Sequence, residues 1–354
     1  MNLDDFDFDL PEERIALRPA RPRDAARLLH VGAAGALADH VMTDLPSLLR
    51  PGDVLVVNDA RVIAAALQGV RPKRSAEGED VAVSANLIER LTPDRWRVLA
   101  RPGRRLRAGD VVVFGDGLEA KVAVKSDGAE LDLVFNRSGD ALDDAIAAIG
   151  AAPLPPYIAR RRPADEADAA DYQTMFAQDR APSAVAAPTA GLHFTPKLEQ
   201  ALTDAGVAIE RLTLDVGAGT FAPLDQSALD RGALHAEHCV LSGEVADRLN
   251  AARAEGRRVV AVGTTALRVL ETAADAEHRF APFEGETDIF IRPGYVFRGV
   301  DALVTNFHLP RSSLFMLVCA FAGIETMQRA YAHAIAAEYR FYSYGDACLL
   351  EASA

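Results

Sequence analysis

Short apolar runs that stop at polar loops are the feature that most constrains the fold of this chain. Residues 54–57, 259–262 and 302–304 contain no polar side chain. Uninterrupted apolarity of this length indicates strands that are buried on both faces, as in a sheet covered by helices. Thr195-Pro196 marks one helix start, because it offers a capping hydroxyl followed by proline at the first helical position. The pattern predicts an α/β layered domain.

Residues 68–150 differ from the rest of the chain. They contain five short β-rich runs, with Gly115-Asp116-Gly117 and Ser126-Asp127-Gly128 as turn sequences, at residues 81–91, 96–100, 111–114, 118–124 and 131–135. Closely spaced strands without helices between them are typical of a small barrel or sandwich. We therefore predict a discontinuous α/β domain, residues 1–67 and 151–354, with an inserted all-β barrel-like domain at residues 68–150.

The stretch that follows the β-rich block is rich in proline and charge. Residues 153–157 read Pro-Leu-Pro-Pro-Tyr, which predicts a rigid extended segment. Arg160-Arg161-Arg162 and an Ala/Asp-rich run to Asp171 come next, and their composition predicts a mobile charged connector.

Overall charge argues against non-specific binding to polyanions. The net charge is −13, from 38 basic and 51 acidic residues, so a nucleic acid or an anionic membrane must be held by a local basic patch. The best candidate patch has no acidic residue between its members, which are Arg95, Arg97, Arg101, Arg104, Arg105 and Arg107. The same arginines are equally consistent with the solvated rim of a β-domain.

Cysteine usage and apolar run lengths indicate the compartment. Cys239, Cys319 and Cys348 are widely spaced and odd in number, which argues against a disulfide framework and a cysteine metal site. The acidic N-terminus lacks the apolar core of a secretion signal. The longest apolar run, residues 314–324, is about half of the roughly 20 residues that a spanning helix needs. We expect a cytoplasmic protein that does not contact membranes.

Residues 305–316 place Asn306, His308 and Arg311 between an apolar strand and a long apolar helix. Free N–H groups at a helix N-terminus attract electron-rich ligands, so this loop is either a ligand site or a capped helix with a core histidine. Several other strand-ending loops carry polar groups, namely Asn58, Asp59, Arg61, Thr189, His193, Asp215, His235, Glu237, Thr264, Thr265, Arg268 and Arg292. Histidines with carboxylates and arginines suit acid–base chemistry without a metal.

Known motifs narrow this chemistry only by exclusion. His235-Ala236-Glu237-His238 lacks the i, i+4 histidine spacing of a helical zinc site, and we expect no metal. The chain also lacks a nucleophile elbow, a phosphate-binding P-loop and a dinucleotide-binding glycine fingerprint.

Long motifs spread over the whole chain carry a family resemblance. They are Asn58-Asp59-Ala60-Arg61-Val62, residues 153–158, residues 187–195, Val216-Gly217-Ala218-Gly219-Thr220-Phe221, residues 261–265, residues 305–310 and residues 339–346. In this order, from Leu10 to Leu350, the sequence closely resembles the S-adenosylmethionine:tRNA ribosyltransferase-isomerases of queuosine biosynthesis. One departure stands at Asp215, where the family usually has histidine.

The resemblance implies a specific reaction. The ribosyl group of S-adenosylmethionine is joined to 7-aminomethyl-7-deazaguanine at the wobble position of tRNA with GUN anticodons. Isomerisation of the ribose gives epoxyqueuosine, and adenine and methionine are released. S-adenosylmethionine is then a consumed co-substrate and not a true cofactor, and we expect the enzyme to act as a monomer.

The resemblance also suggests roles for residues. Proton transfers are expected of His193, His235, His308, Glu237 and Asp215. Substrate contacts are expected of Asn58, Arg61, Thr189, Gly217, Gly219, Thr264, Thr265, Arg268, Arg292, Asn306 and Arg311, with Arg292 or Arg311 at the methionine carboxylate. Anticodon-arm phosphates are expected at Arg101, Arg104, Arg105 and Arg107, together with Arg160 to Arg162.

Two other functional classes compete with this interpretation. An RNA-binding module would need the arginines but not the polar loops of the α/β part. A tRNA methyltransferase would use the same sulfonium compound and release S-adenosylhomocysteine. The products formed from S-adenosylmethionine and precursor tRNA distinguish the three classes.

Overall fold

A mixed nine-stranded sheet forms the larger part of the protein. The computed structural model describes residues 2–125, 130–178, 184–217 and 226–353. In their order across the sheet the strands are β13 (Phe283–Ile289), β11 (Ala233–Leu241), β10 (Ala208–Leu214), β3 (Val54–Asn58), β12 (Val259–Val262), β14 (Ala302–Asn306), β15 (Ala347–Glu351), β1 (Arg27–Val31) and β2 (Leu37–Val41).

The central strands β10, β3, β12 and β14 are parallel. Their carboxyl ends therefore meet at one edge, where ligands bind in open α/β sheets. Strand β15 runs antiparallel to β14, with Ala347 opposite Asn306, so the loop before β15 reaches the same edge. The predicted polar loops are thus collected at one side of the molecule.

Alternate residues of the central strands pack into two different cores. Val54 and Val56 belong to one core, whereas Leu55 and Val57 belong to the other. Helices cover both faces, which confirms the α/β layered architecture. The helices are α1 (Leu45–Leu48), α2 (Asp140–Ile149), α3 (Pro156–Ala159), α4 (Ala167–Asp171), α5 (Pro196–Asp204), α6 (Gln226–Arg231), α7 (Gly243–Ala254), α8 (Gly263–Ala273), α9 (Ser313–Ala322) and α10 (Ile324–Ala336). Short 3-10 helices occupy Leu3–Phe6, Glu12–Arg14, Arg23–Ala25, Met42–Asp44, Gly103–Arg105 and Thr189–His193.

A closed six-stranded barrel is inserted after β3, as the β-rich runs predict. Its strands, in order around the barrel, are β4 (Ala66–Arg71), β5 (Val81–Thr92), β6 (Arg95–Arg101), β9 (Glu130–Phe135), β8 (Leu118–Lys125) and β7 (Val111–Gly115). Helix α2 packs on the barrel core, and a bridge joins Ala66 to Ala151 where the chain returns. The domain limits at residues 68 and 150 stay a prediction.

Glycine and aspartate form the turn between β7 and β8 of the barrel. Gly115, Asp116 and Gly117 all have positive φ, at 114°, 46° and 69°, which confirms the predicted tight turn between β7 and β8. The second predicted turn, Ser126-Asp127-Gly128, lies outside the described residues.

The prediction of a mobile connector after residue 160 is wrong. Asp168 on α4 is buried, and its carboxylate binds Arg162 Nη2 at 2.6 Å and Arg18 Nη1 at 2.9 Å. Charge composition suggested a solvated segment, but the nearby Arg162 and Arg18, which is 150 residues away in the chain, neutralise Asp168 and let α4 dock. The extended segment is also shorter than predicted, because helix α3 begins at Pro156.

Candidate functional site

A cavity of about 60 Å³ lies at the carboxyl ends of β12 and β14. Its walls come from the turn after residue 185, the start of α8, the loop after β14 and the loop before β15. The lining residues are Tyr172, Ala186, Ala187, Pro188, Thr189, Ala190, Val216, Gly263, Thr264, Thr265, Thr305, Asn306, His308, Leu314, Tyr342 and Ser343. Five residues expected at the site from the sequence are brought together here: Thr189, Thr264, Thr265, Asn306 and His308.

Asn306 locks three of these walls together. Its side-chain oxygen accepts a hydrogen bond from Thr189 Oγ1 at 3.0 Å, and its Nδ2 donates to the Tyr342 carbonyl at 3.2 Å. Tyr342 itself has a φ of +74°, which a non-glycine residue rarely adopts. Such strain persists only where the surrounding structure fixes it, and it is frequent at functional sites.

His308 presents a neutral imidazole to the cavity. Its Nε2 lies 3.1 Å from Thr305 Oγ1, and its backbone N–H donates to the Tyr331 hydroxyl at 2.9 Å. The side chain is buried, and burial lowers the pKa of His308 to about 3. The ring is therefore uncharged at neutral pH.

The first turn of α8 forms the opposite wall. The sequence predicts a loop at residues 263–265, but the helix already begins at Gly263, whose φ is +89°. Thr264 and Thr265 thus lie where backbone N–H groups have no partner within the helix. The Thr265 hydroxyl oxygen is buried and makes no hydrogen bond with any described residue.

No charged side chain is among the described residues that line the cavity. Its polar groups are hydroxyls, one amide and the neutral His308. Such a lining suits an uncharged, hydrogen-bonding ligand group, since an ion would lose its hydration without gaining a counter-charge.

His193 lies beside the cavity and not in its lining. Both ring nitrogens face backbone carbonyls, Nδ1 at 3.0 Å from Ala190 and Nε2 at 2.9 Å from Gly345. The ring therefore joins the Thr189–His193 turn to the loop before β15. Burial lowers its pKa, although the two carbonyls oppose this. A part in proton transfer stays a prediction for His193.

Glu237 and Arg268 form a buried ion pair next to the cavity. Arg268 Nη1 binds Glu237 Oε2, and Glu237 Oε1 accepts a hydrogen bond from Gly217 N at 2.8 Å. Arg268 Nη2 also donates to the Thr287 carbonyl at 3.3 Å. The pair thus ties β11, β13 and α8 to the segment whose Val216 lines the cavity.

Asp215 faces an imidazole across the sheet. Its Oδ2 lies 3.3 Å from Nδ1 of His238 on β11, and its backbone N–H donates to the His238 carbonyl at 2.9 Å. An imidazole therefore lies beside Asp215, the position at which the resemblance leads us to expect histidine. His235, on the same strand, is exposed and outside the cavity lining.

Other expected substrate contacts have structural partners. Asn58 Nδ2 donates to the Leu214 carbonyl at 2.9 Å, and its Oδ1 accepts from the backbone N–H groups of Ala60 and Leu214. Arg311 pairs with Asp4 at 2.8 Å, and Arg292 Nη1 donates to the Leu229 carbonyl at 3.2 Å. The described cavity lining does not include Asn58, Arg292, Arg311 or Arg61. Gly219 lies outside the described residues.

Sequence reasoning missed the tyrosines of the site. Tyr342 and Ser343 stand in the motif of residues 339–346, which could have indicated them. Tyr172 follows the segment predicted to be mobile, and no local pattern indicated its burial.

The barrel arginines divide into paired and exposed groups. Arg95 pairs with Asp132 of β9 at 2.5 Å, and Arg97 pairs with Glu89 of β5 at 2.5 Å. Arg101, Arg104 and Arg107 are exposed and form no ion pair with described residues, whereas Arg105 lies 3.9 Å from Glu79. In the other basic stretch, Arg161 and Arg162 are paired with Glu12 and Asp168.

Within the described ranges, no group of three or more His, Cys, Asp or Glu side chains is arranged to hold a metal ion. The helices of this same part of the chain are all too short or too polar to cross a membrane.

Known proteins are similar to this chain over almost its whole length. A family described as "Queuosine biosynthesis protein" matches residues 3–350. The chain is 58% identical over 352 residues to the S-adenosylmethionine:tRNA ribosyltransferase-isomerase of Maricaulis maris, covering 99% of both sequences. It is 59% identical over 358 residues to the enzyme of that name from Rhodopseudomonas palustris, again covering 99% of both. The crystal structure of S-adenosylmethionine tRNA ribosyltransferase from Thermotoga maritima aligns with a TM-score of 0.56 at 34% identity, covering 98% of this chain and 99% of that one.

Proposed function

The chain belongs to the queuosine biosynthesis protein family, as its motifs predict, and we propose that it transfers the ribosyl group of S-adenosylmethionine to tRNA and isomerises it. The acceptor is the aminomethyl group of 7-aminomethyl-7-deazaguanine at the wobble position. The product is epoxyqueuosine in tRNA, with adenine and methionine released. One observation carries the assignment to this site: a cavity whose described lining has no charged side chain and includes a neutral histidine lies where the family motifs meet at the sheet edge.

The reaction requires a base and an acid. A proton must leave the carbon next to the sulfonium, and adenine must gain a proton as its bond to the ribose breaks. His308 is the one of the five expected proton-transfer residues that lines the cavity. We assign both steps to His308, which takes the carbon-bound proton and delivers it to the departing adenine.

The environment of His308 makes it a better proton donor than proton acceptor. With a pKa of about 3, the imidazole is unprotonated at pH 7 and can accept a proton. Protonating it at that pH costs about 5–6 kcal/mol, from four pH units at about 1.4 kcal/mol each. The resulting imidazolium is correspondingly acidic, so it passes its proton readily to a leaving purine.

Glu237 and Arg268 act as positioning residues. Their buried pair holds Gly217 and therefore Val216, while Arg268 belongs to the helix whose first turn forms the opposite wall. Arg292 remains the candidate for the methionine carboxylate, because Arg311 is already paired with Asp4 and Asp7.

The loop after β6 is the proposed contact for the anticodon arm. Lys125 Nζ donates to the carbonyls of Gly103 at 2.9 Å and Leu106 at 2.8 Å, and Arg74 donates to the Arg105 carbonyl at 2.9 Å. Two cations thus hold the loop backbone while its own arginines stay exposed. A fixed loop with exposed guanidinium groups suits phosphate contacts at little conformational cost. These groups belong to Arg101, Arg104 and Arg107, with Arg105 beside them.

Product analysis tests the function. The protein is incubated with S-adenosylmethionine and precursor tRNA that carries 7-aminomethyl-7-deazaguanine, and the released small molecules are identified. Adenine and methionine are expected. S-adenosylhomocysteine would instead indicate a methyltransferase, and tRNA binding without turnover would indicate an RNA-binding module.

A matched pair of variants tests the role of His308. His308→Gln removes the proton acceptor and should slow adenine release by about 10²- to 10⁴-fold. His40→Gln changes a histidine on β2, at the far side of the sheet, and should keep the wild-type rate. A near-wild-type rate for His308→Gln would refute the assignment to His308 and leave the overall reaction untouched.

A further inference from the structure

Tyr172 has a buried hydroxyl whose hydrogen has no acceptor among the residues that the structure describes. The residue is 1% exposed and lines the cavity. The backbone N–H of Ala187 approaches the hydroxyl oxygen, but no described residue accepts the O–H hydrogen. A buried phenol usually has a hydrogen-bond partner, because a buried hydroxyl without a hydrogen bond costs free energy. Burial also raises the pKa of Tyr172, so the group stays protonated and is available as a donor. An orphaned donor in a cavity wall indicates a ligand acceptor.

The rest of the cavity restricts what that ligand group can be. The described lining carries no charge, and it includes two aromatic side chains, Tyr172 and Tyr342, as well as the neutral His308. The volume of about 60 Å³ exceeds several-fold the roughly 10–15 Å³ that one water needs by the same measure. This space suits a flat, neutral heterocyclic ring rather than a sulfonium, an ammonium or a carboxylate.

We propose that the cavity is the adenine subsite and that the Tyr172 hydroxyl donates a hydrogen bond to a ring nitrogen of the adenine of S-adenosylmethionine. The inference rests on the proposed function, because it takes S-adenosylmethionine as the substrate. Adenine is neutral and offers three ring-nitrogen acceptors. The other base in the reaction, 7-aminomethyl-7-deazaguanine, carries a cationic aminomethyl group, for which the described lining offers no carboxylate.

Tyr344 provides a matched control. Its hydroxyl is also buried and makes no hydrogen bond with the described residues, and its ring packs edge-to-face on Tyr172 with centroids 6.0 Å apart. Tyr344 is absent from the described lining of the cavity. Tyr172→Phe and Tyr344→Phe therefore remove the same group from the same aromatic cluster, and only the first removes it from the subsite.

The test measures binding of free adenine to the full-length protein by calorimetry, with guanine as the competing probe. Tyr172→Phe should weaken adenine binding about 5- to 10-fold, as expected for one hydrogen bond to a neutral acceptor. Tyr344→Phe should stay within about 2-fold of wild type on the same scale. Neither variant should unfold at a much lower temperature than wild type, because each removes a buried O–H donor that has no acceptor among the described residues.

Deaza analogues identify the acceptor. Among 1-, 3- and 7-deazaadenine, one should bind wild type more weakly than adenine does, and Tyr172→Phe should not distinguish that analogue from adenine. Wild-type adenine affinity in Tyr172→Phe, equal losses in both variants, preference for guanine or no adenine binding by wild type would each overturn the subsite. Adenine release from S-adenosylmethionine with tRNA is scored separately. Its absence alongside a Tyr172-dependent adenine site would refute the proposed function and leave the subsite standing.

Discussion

Acidification should destabilise the folded protein, and His308 should account for a measurable part of that loss. The side chain is 5% exposed, and burial lowers its pKa to about 3, against about 6.5 in an unfolded chain. Between these two values the unfolded chain binds a proton at this residue and the folded protein does not. The free energy of unfolding must therefore fall as the pH falls through this window, and the contribution is fully present above about pH 6.5.

The expected magnitude follows from linkage. One proton bound only by the unfolded state gives a slope of about 1.4 kcal/mol per pH unit. From pH 6.5 to pH 5 the loss attributable to His308 is then about 2 kcal/mol, from 1.5 units at that slope. His193 adds in the same direction, since burial lowers its pKa as well.

The assay is urea unfolding of wild type and His308→Gln at pH 7, 6 and 5, with extrapolation to water. Far-UV circular dichroism should be followed, because the single tryptophan, Trp96, lies in the barrel core and reports that part alone. The substitution changes stability at every pH, so only the difference in pH slope is informative. Wild type should lose about 2 kcal/mol more than the variant by pH 5. Equal slopes would refute the claim that His308 is buried in its neutral form.

Three other perturbations give separate checks. Glu237→Gln should destabilise the protein by about 3–5 kcal/mol, because it leaves Arg268 buried without its counter-charge. Adding Arg268→Met should recover much of this loss. Additive losses of the two substitutions in denaturant unfolding would contradict the pairing. Asn58→Ala should cost about 2–3 kcal/mol, since it removes the hydrogen bonds that join the end of β3 to Leu214, and a loss below about 0.5 kcal/mol would show that this clamp is dispensable. The third perturbation replaces Arg101, Arg104 and Arg107 by glutamine. It should reduce the slope of log affinity for tRNA against log salt concentration by about 2–3. An unchanged slope would show that the loop does not contact tRNA.

Local sequence patterns are sufficient to predict the architecture of this protein. Unbroken apolar runs predict buried strands because a strand with both faces covered has no polar position, and Val54–Val57 do divide between two cores. Glycine and aspartate predict the turn at residues 115–117 because left-handed backbone is costly for other residues. The Thr195 cap is likewise confirmed, with its hydroxyl accepting from Leu198 N at 3.1 Å. Each of these features depends on residues close together in the chain.

Tertiary structure alone decided which polar residues reach the cavity. His193, His308 and Arg311 looked alike as candidates in the sequence, yet only His308 lines the cavity. His193 is held by a carbonyl 152 residues away, and Arg311 by a carboxylate 307 residues away. The burial of Tyr172 likewise depends on segments distant in the chain. Contacts between such distant residues are set by topology, and no local period or propensity encodes them, so the sequence supplied the chemical groups and the fold selected among them.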